Sequence, residues 1–285
     1  MSWATRIFAI LVLVLAAGAI GAFLEVVLPQ RVAQLAQLEA NELAMARKGA
    51  ADSSTAVTGL WTEISASGGI GLSPDQLTKD LALAKATEKS ADDALSHVQA
   101  AQGYMSQADG LPFQFHSPSF IATDRPALQH LDKALQATIK LTHGATLQLS
   151  VAQHLNQDSQ TIAGSLYPFL KARQWTDAAR TASAVTTDLT TQQVPASDPE
   201  ALLDPLWGRW IDAMLAVASS AKQVSLASAA GQTQQAQSAN RSLETARAQL
   251  VASYADALNG AAAWQAKTVQ PLLDTITGEK SAGGA

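Results

Sequence analysis

The 285-residue sequence contains no cysteine, and it is poor in aromatic and charged residues, at 5% and 15%. Without thiolate ligands, cysteine-based zinc sites and iron–sulfur clusters are excluded. An absence of cysteine is compatible with an oxidising compartment but does not require one. The net charge is −5 and no basic cluster occurs, so nucleic acid is not an expected partner.

Sequence signatures of catalysis are also missing. The Gly-x-Ser-x-Gly, P-loop and dinucleotide-binding glycine patterns do not occur. No two histidines lie three or four residues apart, the spacing that places two ligands on one helix face, and neither His-Glu-x-x-His nor Glu-x-x-His occurs. We therefore expect no enzyme activity, no metal and no cofactor, while a site assembled across helices stays open. The histidines are interpreted as surface or hydrogen-bonded side chains: His97, His116, His130, His143 and His154.

The patterns that predict β-strands are absent as well. No stretch alternates Val, Ile, Thr and aromatic residues between turn signals, whereas apolar residues recur at helical spacing in every long segment. The sequence therefore predicts an all-α fold. We expect an N-terminal transmembrane helix followed by an elongated antiparallel bundle of four to six helices with short connections.

One long apolar run is present, and it lies at the N-terminus. After a short head of residues 1–6, residues 7–28 read IFAILVLVLAAGAIGAFLEVVL, with Glu25 as the one charge. About 20 apolar residues in a helix cross the ~30 Å of hydrocarbon in a bilayer. We predict that residues 7–28 are an uncleaved anchor in contact with membrane lipid. A cleaved signal peptide is the alternative, since Ala17–Ala19 fits a cleavage site, but the run exceeds the usual ~7–15 residues.

The orientation of this anchor depends on the charges beside it. Arg6 precedes the apolar run, and Arg31, Arg47 and Lys48 come after it. Lys and Arg near a span set its topology, and here the two sides are nearly balanced. The very short head is typical of signal-like segments that export the chain on their C-terminal side. We expect a single-pass protein of the cell membrane with an extracytoplasmic, periplasmic body.

Proline, glycine and acidic residues divide this body. The predicted segments are a membrane-proximal helix and connector, a first part of the bundle, a linker, a second part of the bundle and a disordered tail: 29–74, 75–193, 194–205, 206–277 and 278–285.

Local signals place several helix ends. In the first segment a helix is expected to about Arg47, with a kink at Pro29, and a short separate one around Val57–Ile64. Ser73 followed by Pro74 and Gln76 predicts a capped helix start. Residues 109–125 are predicted to be an ordered loop before a helix that starts near Pro126.

Two helices show a bundle seam, a stripe of residues at alternating spacings of three and four. The polar seam residues Glu88 and Gln102 could coordinate a ligand, but setting the helix register is the preferred interpretation. Trp207 and Trp210 could line a ligand site, with a place in the core as the preferred interpretation. The seams are Leu77, Leu81, Ala84, Glu88, Ala91, Leu95, Val98, Gln102 and Met105 in one helix, and Ala236, Ala239, Leu243, Ala246, Leu250, Ser253, Ala257, Gly260 and Trp264 in the other.

The best candidate for partner binding is the loop within residues 111–121. Phe113, Phe115, His116 and Phe120 place much of the sparse aromatic content in this one connection. Loops carry function disproportionately, and aromatic residues are enriched at interfaces. The alternative is that these phenylalanines plug the end of the bundle.

These features lead to a functional hypothesis without catalysis. We expect a single-pass, membrane-anchored helical scaffold or accessory subunit of an envelope complex. Its partners would be other helical membrane or envelope proteins, or a second copy of the chain. The alternative is a sensory, ligand-binding bundle, which resembles the ligand-binding domains of bacterial chemoreceptors in general architecture. The expected absence of a second span and of a signalling region after Trp264 would make such a sensor dependent on a partner.

Overall fold

The computed structural model describes residues 11–18, 21, 23–67, 71–112, 116–197 and 202–285. Within these ranges the regular structure is helical and contains no strand, which confirms the predicted all-α class. Helix α1 covers residues 11–18, and a π-helical turn at Phe23–Val27 leads directly into the first long helix.

Long helices make up most of the described chain after this point. Four of them, α2, α3, α4 and α8, contain 36 to 43 residues, so each extends ~54 Å or more. The bounds are α2 (Leu28–Ser67), α3 (Pro74–Asp109), α4 (Ser119–Thr161), α5 (Tyr167–Lys171), α6 (Trp175–Ser197), α7 (Pro205–Ala229), α8 (Thr233–Thr268) and α9 (Gln270–Gly283), with a π-helical turn at Ile162–Leu166.

Helix α2 is longer than the sequence analysis predicts. It continues through the run of small and polar residues after Arg47, where an interruption is expected. The reason is that small side chains occupy the buried stripe there, at the same three- and four-residue spacing as the larger ones around them. This stripe consists of Leu43, Ala46, Ala50, Ser53, Val57, Leu60 and Ile64.

The starts of three helices test the predicted signals. Ser73 caps α3, since its hydroxyl oxygen accepts the Gln76 N–H at 3.2 Å, as predicted. Asp204 likewise caps α7 by accepting the Leu206 N–H at 2.9 Å. Helix α4 differs, because it begins at Ser119 rather than near Pro126, which lies inside the helix.

The two π-helical turns each precede a proline. Pro29 comes after the turn at Phe23–Val27, and Pro168 comes after the turn at Ile162–Leu166. A proline lacks an N–H and its ring clashes with the carbonyl group four residues earlier, and in both cases that carbonyl lies inside the π turn. The Tyr167 N–H bonds to the Ile162 carbonyl group, five residues back. A wider helical turn thus accommodates each proline. At Pro29 this turn stands where the sequence predicts a kink.

The chain forms two compact units. Unit 1 consists of Met1–Asp52, Ser90–Gln136 and Ile276–Ala285, and unit 2 of Ser53–Lys89 and Ala137–Thr275. The boundaries fall inside α2, α3, α4 and α9. Long helices therefore contribute residues to both units.

Unit 1 is held together by close contacts among α2, α3, α4 and α9. Gly49 of α2 lies so near Ala94 of α3 that an added Cβ atom would be 2.5 Å from the Ala94 Cβ. The Arg47 Nε donates to the Gly283 carbonyl oxygen at 3.0 Å, which places a cation at the C-terminal end of α9.

Unit 2 is organised around Trp61, which is fully buried. Its indole N–H donates to the Leu141 carbonyl oxygen of α4 at 3.1 Å, and its own carbonyl oxygen accepts from Gln265 of α8 at 3.2 Å. Its ring lies 6.1 Å from that of Trp264, centroid to centroid. In the same unit α7 packs against α6 and α8. The ring centroids of Trp210 of α7 and Tyr254 of α8 lie 5.5 Å apart.

The C-terminal segment differs from the disordered tail that the sequence predicts. Helix α9 runs to Gly283, which is buried beside Leu131. Gly284 has a φ of +76°, and the Ala285 N–H bonds to the Lys280 carbonyl group at 3.1 Å. This hydrogen bond and the left-handed glycine form a Schellman motif. Of the predicted linker 194–205, residues 194–197 continue α6 and 202–204 precede α7, while 198–201 lie outside the described residues.

The N-terminal apolar region stands apart in its exposure. The helical stretch Leu11–Ser65 contains an 18-residue window that is long and apolar enough to cross a membrane, and 0% of that window is buried. Leu11 through Leu15 are each 47–68% exposed. Length and composition alone define such a candidate span, and a signal sequence has the same properties.

Candidate functional site

Only part of the predicted aromatic site lies among the described residues. Phe113 and Phe115 lie outside them, His116 is exposed, and Phe120 is half-buried in the first turn of α4. The Ser117 hydroxyl group donates to an Asp109 carboxylate oxygen at 2.5 Å, which ties the connection back to the end of α3.

A groove in unit 1 lies beside this connection, between the last turns of α3 and the second and third turns of α4. Its volume is about 360 Å³. Its lining combines the buried apolar residues Met105 and Leu128 with one acidic and one basic side chain, Asp109 and Arg125. Such a mixed surface suits a polypeptide segment. The lining residues are Gln102, Met105, Ser106, Asp109, Arg125, Leu128 and Gln129.

A second groove, of about 580 Å³, lies in unit 2 where α7 turns into α8. Its lining is made of amide, hydroxyl and small apolar side chains, without a charged group. The exposed side chain of Leu226 stands at this groove and is 54% accessible. The lining residues are Gln223, Leu226, Ala227, Ala230, Gln232, Gln235, Ser238, Ala239 and Ser242.

Four histidines each meet one carboxylate from a different helix. In unit 1 the Nδ1–oxygen distance is 2.5 Å both for His97 with Glu42 and for His130 with Glu279. In unit 2, His143 meets Glu88 at 3.5 Å and His154 meets Asp188 at 3.1 Å. Among the described residues no group of three or more potential ligands is placed to hold a metal ion. These pairs therefore connect helices.

The most unusual group in unit 2 is the Asp158 cluster, defined as His154, Asp158 and Asp188. His154 and Asp158 lie one turn apart on α4 and both face Asp188 on α6. Asp158 is only 6% exposed, and within the described chain its Oδ2 atom has no hydrogen-bond partner. Burial, followed by the charge and hydrogen bonding of Asp188, raises the pKa of Asp158 to about 7.

A comparable carboxyl group in unit 1 is Glu39 of α2. It is 1% exposed, and its Oε1 atom has no hydrogen-bond partner among the residues that the structure describes. Burial raises the pKa of Glu39 to about 7, and the charge of Asp124 adds to this, while Arg47 opposes it. Both buried carboxyl groups can therefore hold a proton near neutral pH, which neither the spacing nor the composition of the sequence indicates.

The other predicted candidates are two tryptophans of α7 and two polar seam residues of α3. Trp207 and Trp210 are buried core residues, in agreement with the preferred interpretation. Glu88 is half-buried and paired with His143, whereas Gln102 is exposed and lines the groove of about 360 Å³.

No protein family, curated protein or solved structure matches this chain.

Proposed function

We propose that the protein is a single-pass, membrane-anchored helical scaffold, or accessory subunit, of an envelope protein complex. Residues 7–28 hold it in the membrane, the helical body lies on the extracytoplasmic side, and it acts by binding other helical proteins rather than by catalysis.

The observation that carries this proposal is the exposure of the apolar N-terminal region. Its most apolar window is 0% buried, and side chains such as Leu13 and Leu15 are 68% and 65% accessible. Leaving apolar area in water is unfavourable by ~25 cal/mol per Å². Exposed apolar patches of this extent mark membrane or partner contacts. A lipid bilayer is the environment that fits an apolar segment of this length.

A second apolar surface supports the partner-binding role. On α8, Val251, Tyr254 and Leu258 are 71%, 37% and 39% exposed. They lie at spacings of three and four, so they share one helix face. The neighbouring stripe of α8 is buried within unit 2, at Ala239, Leu243, Ala246, Ala257 and Ala261. The exposed face, named here the α8 outer face, has the pattern by which one helix recognises another.

Site-specific photo-crosslinking in intact membranes tests this role. A crosslinker in place of Leu258 should give a discrete adduct with an identifiable membrane or envelope protein, or with a second copy. A crosslinker at Gln249, which is exposed on another side of α8, is the matched control and should not. Recovery of uncrosslinked monomer alone from both positions would contradict the scaffold role.

The orientation is tested by protease protection. In sealed vesicles of known sidedness, protease on the extracytoplasmic side should degrade the helical body. Protease on the cytoplasmic side should leave it intact until detergent is added. Protection from the extracytoplasmic side would place the body inside the cell and overturn the proposed topology.

A further inference from the structure

We propose that the Asp158 cluster is a proton-operated clasp between α4 and α6, which holds α6 tightly in acidic solution and loosens it in alkaline solution. The inference concerns unit 2 alone and does not depend on the membrane anchor.

The geometry of the two carboxyl groups carries the inference. His154, one turn before Asp158 on α4, lies 3.1 Å from Asp188 of α6, so Asp158 and Asp188 are neighbours across the α4–α6 interface. Only 6% of Asp158 is exposed. Two carboxylates in contact cannot both be charged without strong repulsion. When Asp158 holds a proton, its O–H group can donate to Asp188, and the pair becomes an attraction.

His154 contacts the same Asp188 carboxylate from α4. Its Nδ1 atom lies 3.1 Å from an Asp188 oxygen. The side chains of His154 and Asp188 are 41% and 38% exposed, so the cluster is open to solvent on their side.

The other charged groups near this interface are already paired or distant along their helices. On α3, Glu88 meets His143, which lies more than three turns before Asp158 on α4. On α6, Asp177 pairs with Arg180. The Arg247 guanidinium of α8 lies 4.4 Å above the ring of Tyr167, and Asp212 of α7 accepts from Gln193. Asp188 is the charged group that shifts the pKa of Asp158 within the described residues.

Helix α6 is suited to respond because its apolar interface is small. The apolar side chains that it buries within its described part are Ala178, Ala182, Val185 and Leu189. Each buried CH₂ contributes only ~0.8 kcal/mol, so these short side chains hold the helix less firmly than a row of leucines would. When one buried polar contact changes from attraction to repulsion, a large part of the free energy that holds α6 in unit 2 is therefore lost.

Hydrogen exchange of the full chain in detergent tests the clasp. After correction for the intrinsic exchange rate, peptides of α6 should lose at least about tenfold in protection between pH 5 and pH 8. Peptides of α7, within the same unit, should change less. Protection of α6 that does not depend on pH would overturn the proposal.

The variant D158N tests whether the proton on Asp158, rather than the packing of its side chain, causes the pH dependence. An uncharged amide replaces the protonated carboxyl group and can donate to Asp188, so α6 should keep its acidic level of protection at pH 8. D177N, on the exposed side of the same helix, is the matched control and should keep the wild-type pH dependence. A pH dependence in D158N equal to that of the wild type would contradict the clasp.

A spectroscopic measurement on the wild type covers the case in which D158N misfolds. With ¹³C-labelled aspartate, one side-chain carboxyl resonance should titrate near neutral pH, and it should be assigned to Asp158. Titration of every aspartate in the acidic range would exclude a protonated carboxyl group at this interface, whatever the variant does.

Discussion

Glu39 shows how a single buried carboxyl group makes the stability of a helical protein depend on pH. It lies on the buried side of α2 with one oxygen unpartnered within the described chain. Because burial raises its pKa from 4.5 to about 7, the folded protein binds a proton that the unfolded chain has already released. This contribution to stability is fully present below about pH 4.5, and it is lost as the pH rises through about 7.

The substitution Glu39→Gln should therefore stabilise the protein above neutral pH. We expect a gain of about 1–2 kcal/mol at pH 8 that shrinks towards zero below pH 4.5, measured as the free energy of unfolding in urea. Glu42→Gln is the control on the same helix. It removes the partner of His97 and should give no gain at pH 8, so equal gains in both variants would contradict the assignment.

The buried residues of α3 show what could be predicted residue by residue. Leu77, Ala84, Ala91, Val98 and Met105 were expected in the seam and are buried. The four intervening positions lie one residue earlier than predicted, since Asp80, Thr87, Ala94 and Ala101 are buried in place of Leu81, Glu88, Leu95 and Gln102. Apolar content favours Leu81 and Leu95, and only packing against neighbouring helices makes the shorter side chains the buried ones. The shift also explains why the buried carboxyl group of Asp80 was not foreseen.

The histidine–carboxylate pairs could not be predicted from the sequence, for a different reason. Their members are separated by 34 to 149 residues along the chain. No local spacing rule connects residues so far apart, because the pairing depends on which helices become neighbours. The aromatic loop was identifiable from composition, but the grooves beside it and at the α7–α8 turn depend on the same tertiary contacts.

At the level of helices, the helix ends obey local rules. Helices α5, α7 and α9 end in Schellman motifs, with Arg173, Gly231 and Gly284 at φ of +59°, +69° and +76°. The corresponding hydrogen bonds run from Gln174 to Phe169, from Gln232 to Ala227 and from Ala285 to Lys280. Two of the three left-handed positions carry glycine, which adopts this conformation without steric cost. Arginine at the third position carries the strain of a Cβ atom there.

Arg173→Gly should accordingly raise stability, by about 0.5–1 kcal/mol. Arg173 is exposed, so its side chain is not part of the packed core. The reciprocal change, Gly231→Ala, should lower stability by a similar amount for the same reason. Thermal unfolding of both variants checks the pair, and a fall in melting temperature for Arg173→Gly would contradict the strain argument.

Helix contact in unit 1 depends on Gly49. Alanine is normally the better helix former by about 1 kcal/mol, yet a Cβ atom at this position would collide with Ala94. We therefore expect Gly49→Ala to destabilise the protein by about 1–3 kcal/mol.

The control for Gly49 is Gly103 of α3, where an added Cβ atom meets nothing within 4 Å. Gly103→Ala should be neutral or stabilising. If the two variants unfolded at the same denaturant concentration, the close α2–α3 approach would be wrong.

For the molecule as a whole, several buried carboxyl groups shift in the same direction. Burial raises the pKa of Asp80 and Asp204 as well as those of Glu39 and Asp158. The pKa of Glu279, paired with His130, shifts the other way. Folding thus takes up protons on balance between about pH 4 and pH 7.

The melting temperature of the wild type should consequently be higher at pH 5 than at pH 8, opposite to a protein held by surface ion pairs of acidic groups. Differential scanning calorimetry at constant ionic strength checks this. A higher melting temperature at pH 8 would show that the buried carboxyl groups find partners that the structure does not place beside them.

The attachment of the whole molecule to the membrane is tested most directly by alkaline carbonate extraction of membranes, followed by the intact mass of the retained chain. The account predicts that the wild type stays in the membrane pellet with a mass that includes residues 7–28. Leu15→Arg, which adds ~3 kcal/mol to insertion, should move part of the protein to the supernatant, whereas Leu15→Ile should not. A wild-type chain that is released as a soluble protein, with a mass that begins after Ala19, would contradict the membrane anchor and the scaffold role that depends on it.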